Sequence, residues 1–392
     1  MPRSSDVVVV GAGVFGAWTA LQLRRAGRSV TLVDAYGAGN TRSSSSGATR
    51  VIRIGYGADL LYSQWAQRSV HAWRELFRTC RQDLFTRTGA LWMARDDDDT
   101  TDATIETLTR LHVPFESLDR DALERRFPQF TFGPITRGLL EPEAGVIMAR
   151  RAVQMVVRQA VKQSVDYHVA AVSPPTGKGA IDGLVTSDGS RLTAGTYVFA
   201  CGPWLPKLFP EVVSDRVRST RQDVFFFGAE PGDRRFGPSE MPVWIDLAGG
   251  VYGVPDLEGR GFKIGLHHPG PPFDPDSSER AVSDDALEVA RMILSRRVPA
   301  LEGAPLLEAR VCPYTNSGTG DFLIDQHPDH DNVWLVGAGS GHGFKHGPAV
   351  GDYVAARLSN RGAPEARFTL DAHRPGAERT IYEPRTASHL PP

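Results

Sequence analysis

VVVVGAGVFG, residues Val7 to Gly16, is the most informative segment of the sequence for predicting the fold. The four valines are typical of a strand buried on both faces of a parallel sheet. The glycines that follow have the spacing G-x-G-x-x-G, which allows a tight turn, close approach of backbone N–H groups to a pyrophosphate, and close helix–strand packing. A helix is predicted from Ala17 to Ala26, with Gly27 as its C-terminal cap.

A second predicted strand, from Ser29 to Val33, ends at Asp34. The carboxylate lies about twenty residues after the glycines, where such a group accepts hydrogen bonds from ribose hydroxyls. A lone G-x-G-x-x-G is weak evidence, but here a strand precedes it, a helix follows it, and an acid ends the next strand. The sequence therefore predicts a dinucleotide-binding βαβ unit. The unit alone does not distinguish NAD from FAD.

Composition narrows the class of protein. With 392 residues, 41% hydrophobic and 23% charged, the chain predicts an ordinary globular protein of two domains. A net charge of -2 gives no reason to expect nucleic acid or an anionic membrane as partner, and no run approaches the length of a membrane span. Cys80, Cys201 and Cys312 are odd in number and widely spaced, which predicts no disulfide framework and no metal site and favours the cytoplasm.

The rest of the chain alternates between helical and strand patterns. The small polar run from Tyr36 to Gly47 is too long for an ordinary connection, which indicates a functional segment. Arg50 and Arg53 would point the same way if their segment were helical. Strands are predicted around residues 86–94, 196–202 and 333–336, and antiparallel strands of a second domain around 223–227, 243–246, 251–253 and 262–267. Residues after Phe368 read as a loosely held tail.

Several separate motifs occur together in one order along the chain: GATRVIR (47–53), YG (252–253), KIGLH (263–267), CPYT (312–315) and GHGFK (341–345). Taken together they resemble the monomeric sarcosine oxidase family, FAD-dependent amine oxidases of the D-amino acid oxidase superfamily that include N-methyltryptophan and pipecolate oxidases. The resemblance runs from Val7 to about Leu358 and implies a monomer.

This resemblance implies an α/β fold with an α+β second domain. A Rossmann-like FAD-binding domain would comprise residues 1–86, 146–216 and 321–392, and a substrate domain with a mixed or antiparallel sheet would comprise 87–145 and 217–320. Together, the βαβ unit and the resemblance predict as cofactor-binding residues Gly11, Gly13, Val14, Phe15, Gly16, Asp34, Ala35, Ser44, Ser45, Thr49, Arg50, Val172, Cys201, Gly202, Trp204, Cys312, Gly339, Gly341, Gly343, Phe344 and Lys345.

Cys312 resembles the family's site of covalent flavin attachment, where a cysteine sulfur bonds to the 8α-methyl carbon of FAD. Arg50 is then the expected cation that stabilises the electron-rich flavin. The proline after Cys312 departs from the family pattern. A lone cysteine is more often a small buried hydrophobe, so this alternative stays open.

Arg53 and Lys345 match the family's carboxylate clamp, in which an arginine fork and a lysine point charge select substrates with a carboxylate. Lys263 resembles the oxygen-activating lysine, and strand alternation places Lys263 and His267 on one face. His342, Tyr252 and Tyr314 are expected to line the pocket. The alternatives are a surface salt bridge for Arg53 and an exposed edge strand for Lys263.

The implied reaction removes a hydride equivalent from the carbon next to an uncharged amine, giving an imine and, after reoxidation by O₂, hydrogen peroxide. Three alternatives remain: a cyclic or bulky N-substituted amino acid as substrate, a dehydrogenase with another electron acceptor, or an FAD-binding subunit without catalysis.

Overall fold

Three sheets, of seven, eight and three strands, form in the described part of the chain, residues 4–267 and 270–377 of a computed structural model. The strands are β1 Ser4–Val10, β2 Val30–Asp34, β3 Thr49–Ile52, β4 Phe85–Thr86, β5 Ala90–Ala94, β6 Glu116–Asp119, β7 Arg137–Glu141, β8 Gly145–Met148, β9 Asp166–Val169, β10 Leu184–Val185, β11 Arg191–Phe199, β12 Val217–Phe227, β13 Val243–Asp246, β14 Val251–Val254, β15 Phe262–Leu266, β16 Leu306–Ser317, β17 Leu323–Gln326 and β18 Val333–Gly337.

The α-helices of the same residues are α1 Val14–Arg25, α2 Leu60–Cys80, α3 Asp99–Arg110, α4 Arg120–Arg126, α5 Ala149–Lys162, α6 Leu205–Leu208, α7 Pro210–Val213, α8 Asp284–Arg297 and α9 Gly347–Leu358. A loosely held tail was predicted after Phe368. The part of this tail from residue 378 onward lies outside the described residues. Within the described ranges, no helix has the length and apolar character needed to cross a membrane.

The seven-stranded sheet carries the predicted βαβ unit. β1 pairs in parallel with β2 and with β11, and β11 pairs in parallel with β18. The valines of β1 are buried, as the run of four predicted, because α1 covers one face and the packing around Phe199 and Leu335 covers the other. The strand and helix predictions are confirmed here, although α1 begins at Val14 and not at Ala17.

The eight-stranded sheet has the order β16-β12-β15-β14-β13-β5-β7-β6. Its pairings are antiparallel except that of β13 with β5, so the sheet is mixed, and the predicted fold class is confirmed. Its strands all come from residues 87–145 and 217–320, and those of the seven-stranded sheet all come from the other predicted segments. The domain limits themselves remain a prediction.

The small third sheet has the strand order β3-β8-β4. Residues Thr49–Ile52 form a strand and not a helix, because β-branched residues favour the strand and β8 supplies its backbone partners. Arg50 and Arg53 therefore do not share a helical face, and each reaches a different part of the site.

Candidate active site

A cavity of about 320 Å³ opens where β1, β2, β11 and β18 end. At the carboxyl ends of parallel strands, an open α/β sheet binds its ligands. Of the predicted cofactor-binding residues, the following line this cavity: Gly11, Gly13, Val14, Phe15, Asp34, Ala35, Ser44, Ser45, Arg50, Val172, Cys201, Gly202, Trp204, Gly339, Gly341, Gly343 and Phe344. Gly16, Thr49, Cys312 and Lys345 do not line it.

The glycine-rich turn leaves room for a ligand. Gly11 has φ of 104°, and a Cβ there would lie 2.4 Å from the carbonyl oxygen of Ala200. A Cβ on Gly16 would lie 1.8 Å from the oxygen of Gly11, so this glycine serves helix–turn packing and not direct contact with a ligand. At Gly13 the nearest atom to a Cβ would be Ser45 Oγ at 3.4 Å, which leaves the turn open on that side.

Polar groups around the turn suit a dinucleotide. Asp34 accepts hydrogen bonds from Ala12 N at 2.7 Å and Tyr36 N at 2.9 Å, and burial raises the pKa of this carboxyl. Ser44 Oγ is buried in the cavity wall and has no hydrogen-bond partner among the described residues. A polar group of a ligand, or a water molecule, would satisfy such an atom, and the phosphate, ribose and ring groups of FAD are of that kind.

A second, smaller cavity of about 80 Å³ adjoins the first. Arg50, Tyr314, Gly341 and Phe344 line both, so they mark the junction. The second cavity is also lined by the other predicted catalytic and substrate-binding residues, Arg53, Tyr252, Lys263, His267, His342 and Lys345, whereas Gly16, Thr49 and Cys312 line neither cavity. Side chains from β3, β14, β15 and β16 and from the turn after β18 thus meet at one place, although they are far apart in sequence.

Arg53 and Lys345 are both buried at this cavity. The Arg53 guanidinium lies 4.6 Å from the ring centroid of Tyr56 and 4.4 Å from that of Trp92. Lys345 Nζ donates to Tyr56 Oη at 2.7 Å and to the carbonyl oxygen of His342 at 3.1 Å. Burial and the neighbouring Arg53 hold the pKa of Lys345 well below its usual range.

Glu141, at the end of β7, is a buried carboxylate near the two cations. It accepts hydrogen bonds from Ile54 N at 2.7 Å, Gly55 N at 3.2 Å and Trp92 Nε1 at 2.8 Å. These bonds fix the backbone directly after Arg53. Arg53 together with protonated Lys345 would exceed this single carboxylate in charge, which suits an anion, and a bound anion would in turn favour the charged form of Lys345.

Lys263 approaches the cavity from β15. Within the described part of the chain its Nζ has only long hydrogen-bond contacts, 3.4 Å to Thr49 O and 3.5 Å to Thr49 Oγ1, and it lies 5.4 Å from the ring centroid of Tyr252. Burial, followed by repulsion from Arg50, lowers the pKa of Lys263 to about 7. Burial raises the pKa of Tyr252 to about 12, so this hydroxyl stays protonated.

Cys312, in β16, lies beside Arg50. Arg50 Nη2 is 3.0 Å from Cys312 Sγ and donates to Ser44 O at 2.6 Å. A Cβ on Gly47 would come within 1.9 Å of the Arg50 guanidinium, so glycine is needed there for Arg50 to hold this position. The buried sulfur of Cys312 is therefore in direct contact with a guanidinium group that is held in place.

Three site residues were missed from the sequence. Tyr56 follows Arg53 closely in the sequence, but a lone tyrosine gives no signal of its role. Glu141 is the last residue of β7, which was not among the predicted strands, so no sign of its role was available from the sequence. His346 directly follows the predicted Lys345 and lies in the same buried turn.

Comparison with known proteins shows the family to which the chain belongs. The family model described as FAD dependent oxidoreductase matches residues 6–357. The monomeric sarcosine oxidase of Streptomyces avermitilis is 30% identical over 91% of this chain and 94% of its own, and that of Bacillus sp. strain B-0618 is 30% identical over 98% and 99%. The solved structure of L-proline dehydrogenase from P. horikoshii shares the fold, with a TM-score of 0.82 and 19% identity over 94% of this chain and 98% of its own. The chain belongs to the FAD-dependent oxidoreductase family, and its sequence relatives include the monomeric sarcosine oxidases.

Proposed function

We propose that this protein oxidises a small secondary amine or amino acid that bears a carboxylate, with O₂ as the electron acceptor. The observation that carries the proposal is the pair of buried cations, Arg53 and Lys345, in a small cavity that joins the dinucleotide cavity. The sarcosine oxidases among its relatives act on an N-methylated amino acid by name, and the small second cavity suits a substrate of that size.

The protein's contribution is to bind and orient the substrate. Arg53 and Lys345 hold the carboxylate. Nearby positive charge, including that of Lys263, repels a protonated amine and so favours the uncharged form of the substrate amine. Bound FAD supplies the acceptor for the hydride equivalent that leaves the carbon next to nitrogen. The substrate departs as an imine, which water hydrolyses unless it is cyclic.

Lys263 serves the second half of the reaction. O₂ takes up two electrons and two protons to leave as hydrogen peroxide, and it becomes an anion after the first electron. A buried cation stabilises that anion electrostatically, and the long contacts of Lys263 leave its charge available for this purpose.

The flavin is proposed to be bound covalently through Cys312. The contact between Arg50 and the Cys312 sulfur supports this assignment. The test is to precipitate the purified protein with acid and to record the flavin absorbance of pellet and supernatant. Colour that stays with the pellet in the wild type and moves to the supernatant in Cys312→Ser supports the link, whereas colour in the wild-type supernatant contradicts it.

A cyclic amino acid is a second candidate substrate. The walls of the second cavity include apolar Val51, Ile245, Leu247 and Val251, which suit a saturated ring. A panel of N-methyl, cyclic and bulky N-substituted amino acids separates these substrates by the rate of flavin bleaching without oxygen. Slow reoxidation of the reduced protein by O₂ would instead indicate a dehydrogenase.

We also propose that the protein acts as a cytoplasmic monomer. Monomeric relatives support the assembly state. Free thiols at Cys80 and Cys201 agree with a reducing compartment.

A further inference from the structure

The hydroxyl of Tyr56 lies at the centre of a buried polar cluster. Lys345 Nζ is 2.7 Å from it, His346 Nε2 is 2.8 Å from it, and His342 Nδ1 is 3.1 Å from it. All four side chains are buried. Sequence analysis assigned no role to Tyr56 or to His346.

The geometry of this cluster determines which of its atoms donate hydrogen bonds and which accept them. His342 Nε2 is 3.0 Å from the carbonyl oxygen of Gly320, which can only accept, so Nε2 carries the hydrogen. Burial and Lys345 lower the pKa of His342 well below its usual value, so the ring is neutral and Nδ1 is an acceptor. The Tyr56 hydroxyl therefore donates to His342 Nδ1.

The two lone pairs of the Tyr56 oxygen then accept from Lys345 and from His346 Nε2–H. This assignment leaves His346 Nδ1 without a hydrogen, and that atom has no hydrogen-bond partner in the described ranges. Of the three hydrogens on Lys345 Nζ, one goes to Tyr56 and one to the carbonyl oxygen of His342. The third is available to the cavity that Lys345 lines.

The ring of Tyr56 contacts the second cation. The Arg53 guanidinium is 4.6 Å from its centroid, within the range of a cation–π contact. One side chain thus contacts both Lys345, through its hydroxyl, and Arg53, through its ring.

We propose that Tyr56 is a positioning residue that orients Arg53 and Lys345 toward one carboxylate. The inference rests on the proposed function, since it concerns the same carboxylate site. His346 supports Tyr56 from behind by donating to its hydroxyl. Because the clamp holds the substrate in the same way before and during the reaction, loss of Tyr56 Oη should weaken binding much more than it slows flavin reduction.

The test uses the flavin-loaded protein and methoxyacetate, which has the shape of N-methylglycine but an ether oxygen in place of the amine. Binding is followed by the perturbation of the flavin spectrum, and flavin reduction by anaerobic mixing with N-methylglycine or the best substrate of the panel. Tyr56→Phe keeps the ring and removes the hydroxyl. We expect about tenfold weaker binding of methoxyacetate and of substrate, with the limiting reduction rate within about threefold of wild type.

Tyr353→Phe is the matched control. The Tyr353 hydroxyl accepts a hydrogen bond from Glu365 N at a distance of 2.8 Å, and this residue lines neither cavity. It should bind methoxyacetate as wild type does. If Tyr56→Phe fails to retain flavin, His346→Leu and His346→Gln replace it: the leucine should weaken binding and the glutamine, which retains an N–H donor, should restore it.

The outcomes separate the two proposals. If wild type binds methoxyacetate, Arg53→Gln abolishes that binding and Tyr56→Phe binds normally, the positioning role is overturned and the carboxylate site stands. If wild type neither binds methoxyacetate nor is bleached by any carboxylate-bearing amine, the proposed function itself fails and the inference fails with it.

Discussion

Lys345 and Lys263 are both buried and both line the second cavity, but they come from different parts of the fold. Lys345 lies in the turn after β18, where it has two close acceptors and Glu141 nearby. Lys263 lies in β15, where Thr49 offers only contacts of 3.4 and 3.5 Å. In each case burial is the main cause of the lowered pKa, and an arginine adds to it: Arg53 for Lys345 and Arg50 for Lys263.

The difference indicates two uses of a buried ammonium group. Lys345 has a fixed direction, which suits recognition of an anion of fixed shape such as a carboxylate. Lys263 is loosely held and titrates near neutral pH, which suits a short-lived anion that appears only during reaction with oxygen. Four predictions test this contrast.

The largest effect is expected for Lys263→Met. Without the cation, the rate constant for reaction of the reduced protein with O₂ should fall by about 10²–10³, the usual cost of removing one preorganised electrostatic group. The rate of flavin reduction by substrate without oxygen should change little. Stopped-flow measurement of the two half-reactions checks this, and equal losses in both would show that the two lysines do not differ in role.

Arg53→Gln is expected to weaken substrate binding about a hundredfold, because it removes one member of a buried charge pair with the carboxylate. The effect should appear in the dissociation constant for methoxyacetate and leave the O₂ reaction intact. A variant that loses oxygen reactivity but not affinity would contradict the assignment of Arg53.

The rate constant for the O₂ reaction should also depend on pH. The pKa of Lys263 is lowered to about 7, so the lysine is charged below that pH and neutral above it. The rate should therefore be highest at acidic pH and fall as pH rises, by about tenfold per unit once the lysine is mostly neutral. An anionic neighbour during turnover would move this midpoint upward. Lys263→Met serves as the control and should show no such decline.

The smallest effect is expected for Thr49→Val, which removes the hydroxyl 3.5 Å from Lys263 and keeps the β-branched shape that suits β3. Because that contact is at the limit of a hydrogen bond, the O₂ rate should stay within about threefold of wild type. A tenfold loss would mean that Lys263 is held as firmly as Lys345.

Local patterns in the sequence predicted much of the fold. The βαβ unit from Val7 to Asp34 could be predicted because its buried strand, glycine turn and acid lie close together in the sequence. The spacing of Arg50 and Arg53 bore on their direction only if their segment were helical, and the pairing of Thr49–Ile52 with β8 makes it a strand. Helix α2, Leu60–Cys80, was not among the predicted elements although Asp59 caps its first turn.

The site residues that were missed show which contacts local sequence patterns do not predict. Glu141 is 86 residues from Gly55, whose N–H it accepts, and Tyr56 is 290 residues from His346. Their roles depend on partners that the fold brings together, so neither leaves a local signal. The roles of Arg53, Lys263, Lys345 and Cys312 came from family resemblance, and their chemical assignments remain predictions for the experiments above.

The most direct test of the central claim is anaerobic mixing of the flavin-loaded protein with matched pairs of amines that differ only in the carboxylate, such as N-methylglycine with dimethylamine and proline with pyrrolidine. We expect the flavin absorbance to bleach with at least one carboxylate-bearing amine and not with its partner, and we expect this selectivity to be lost in Arg53→Gln. Bleaching by both members of a pair at equal rates, or by no amine at all, would contradict it.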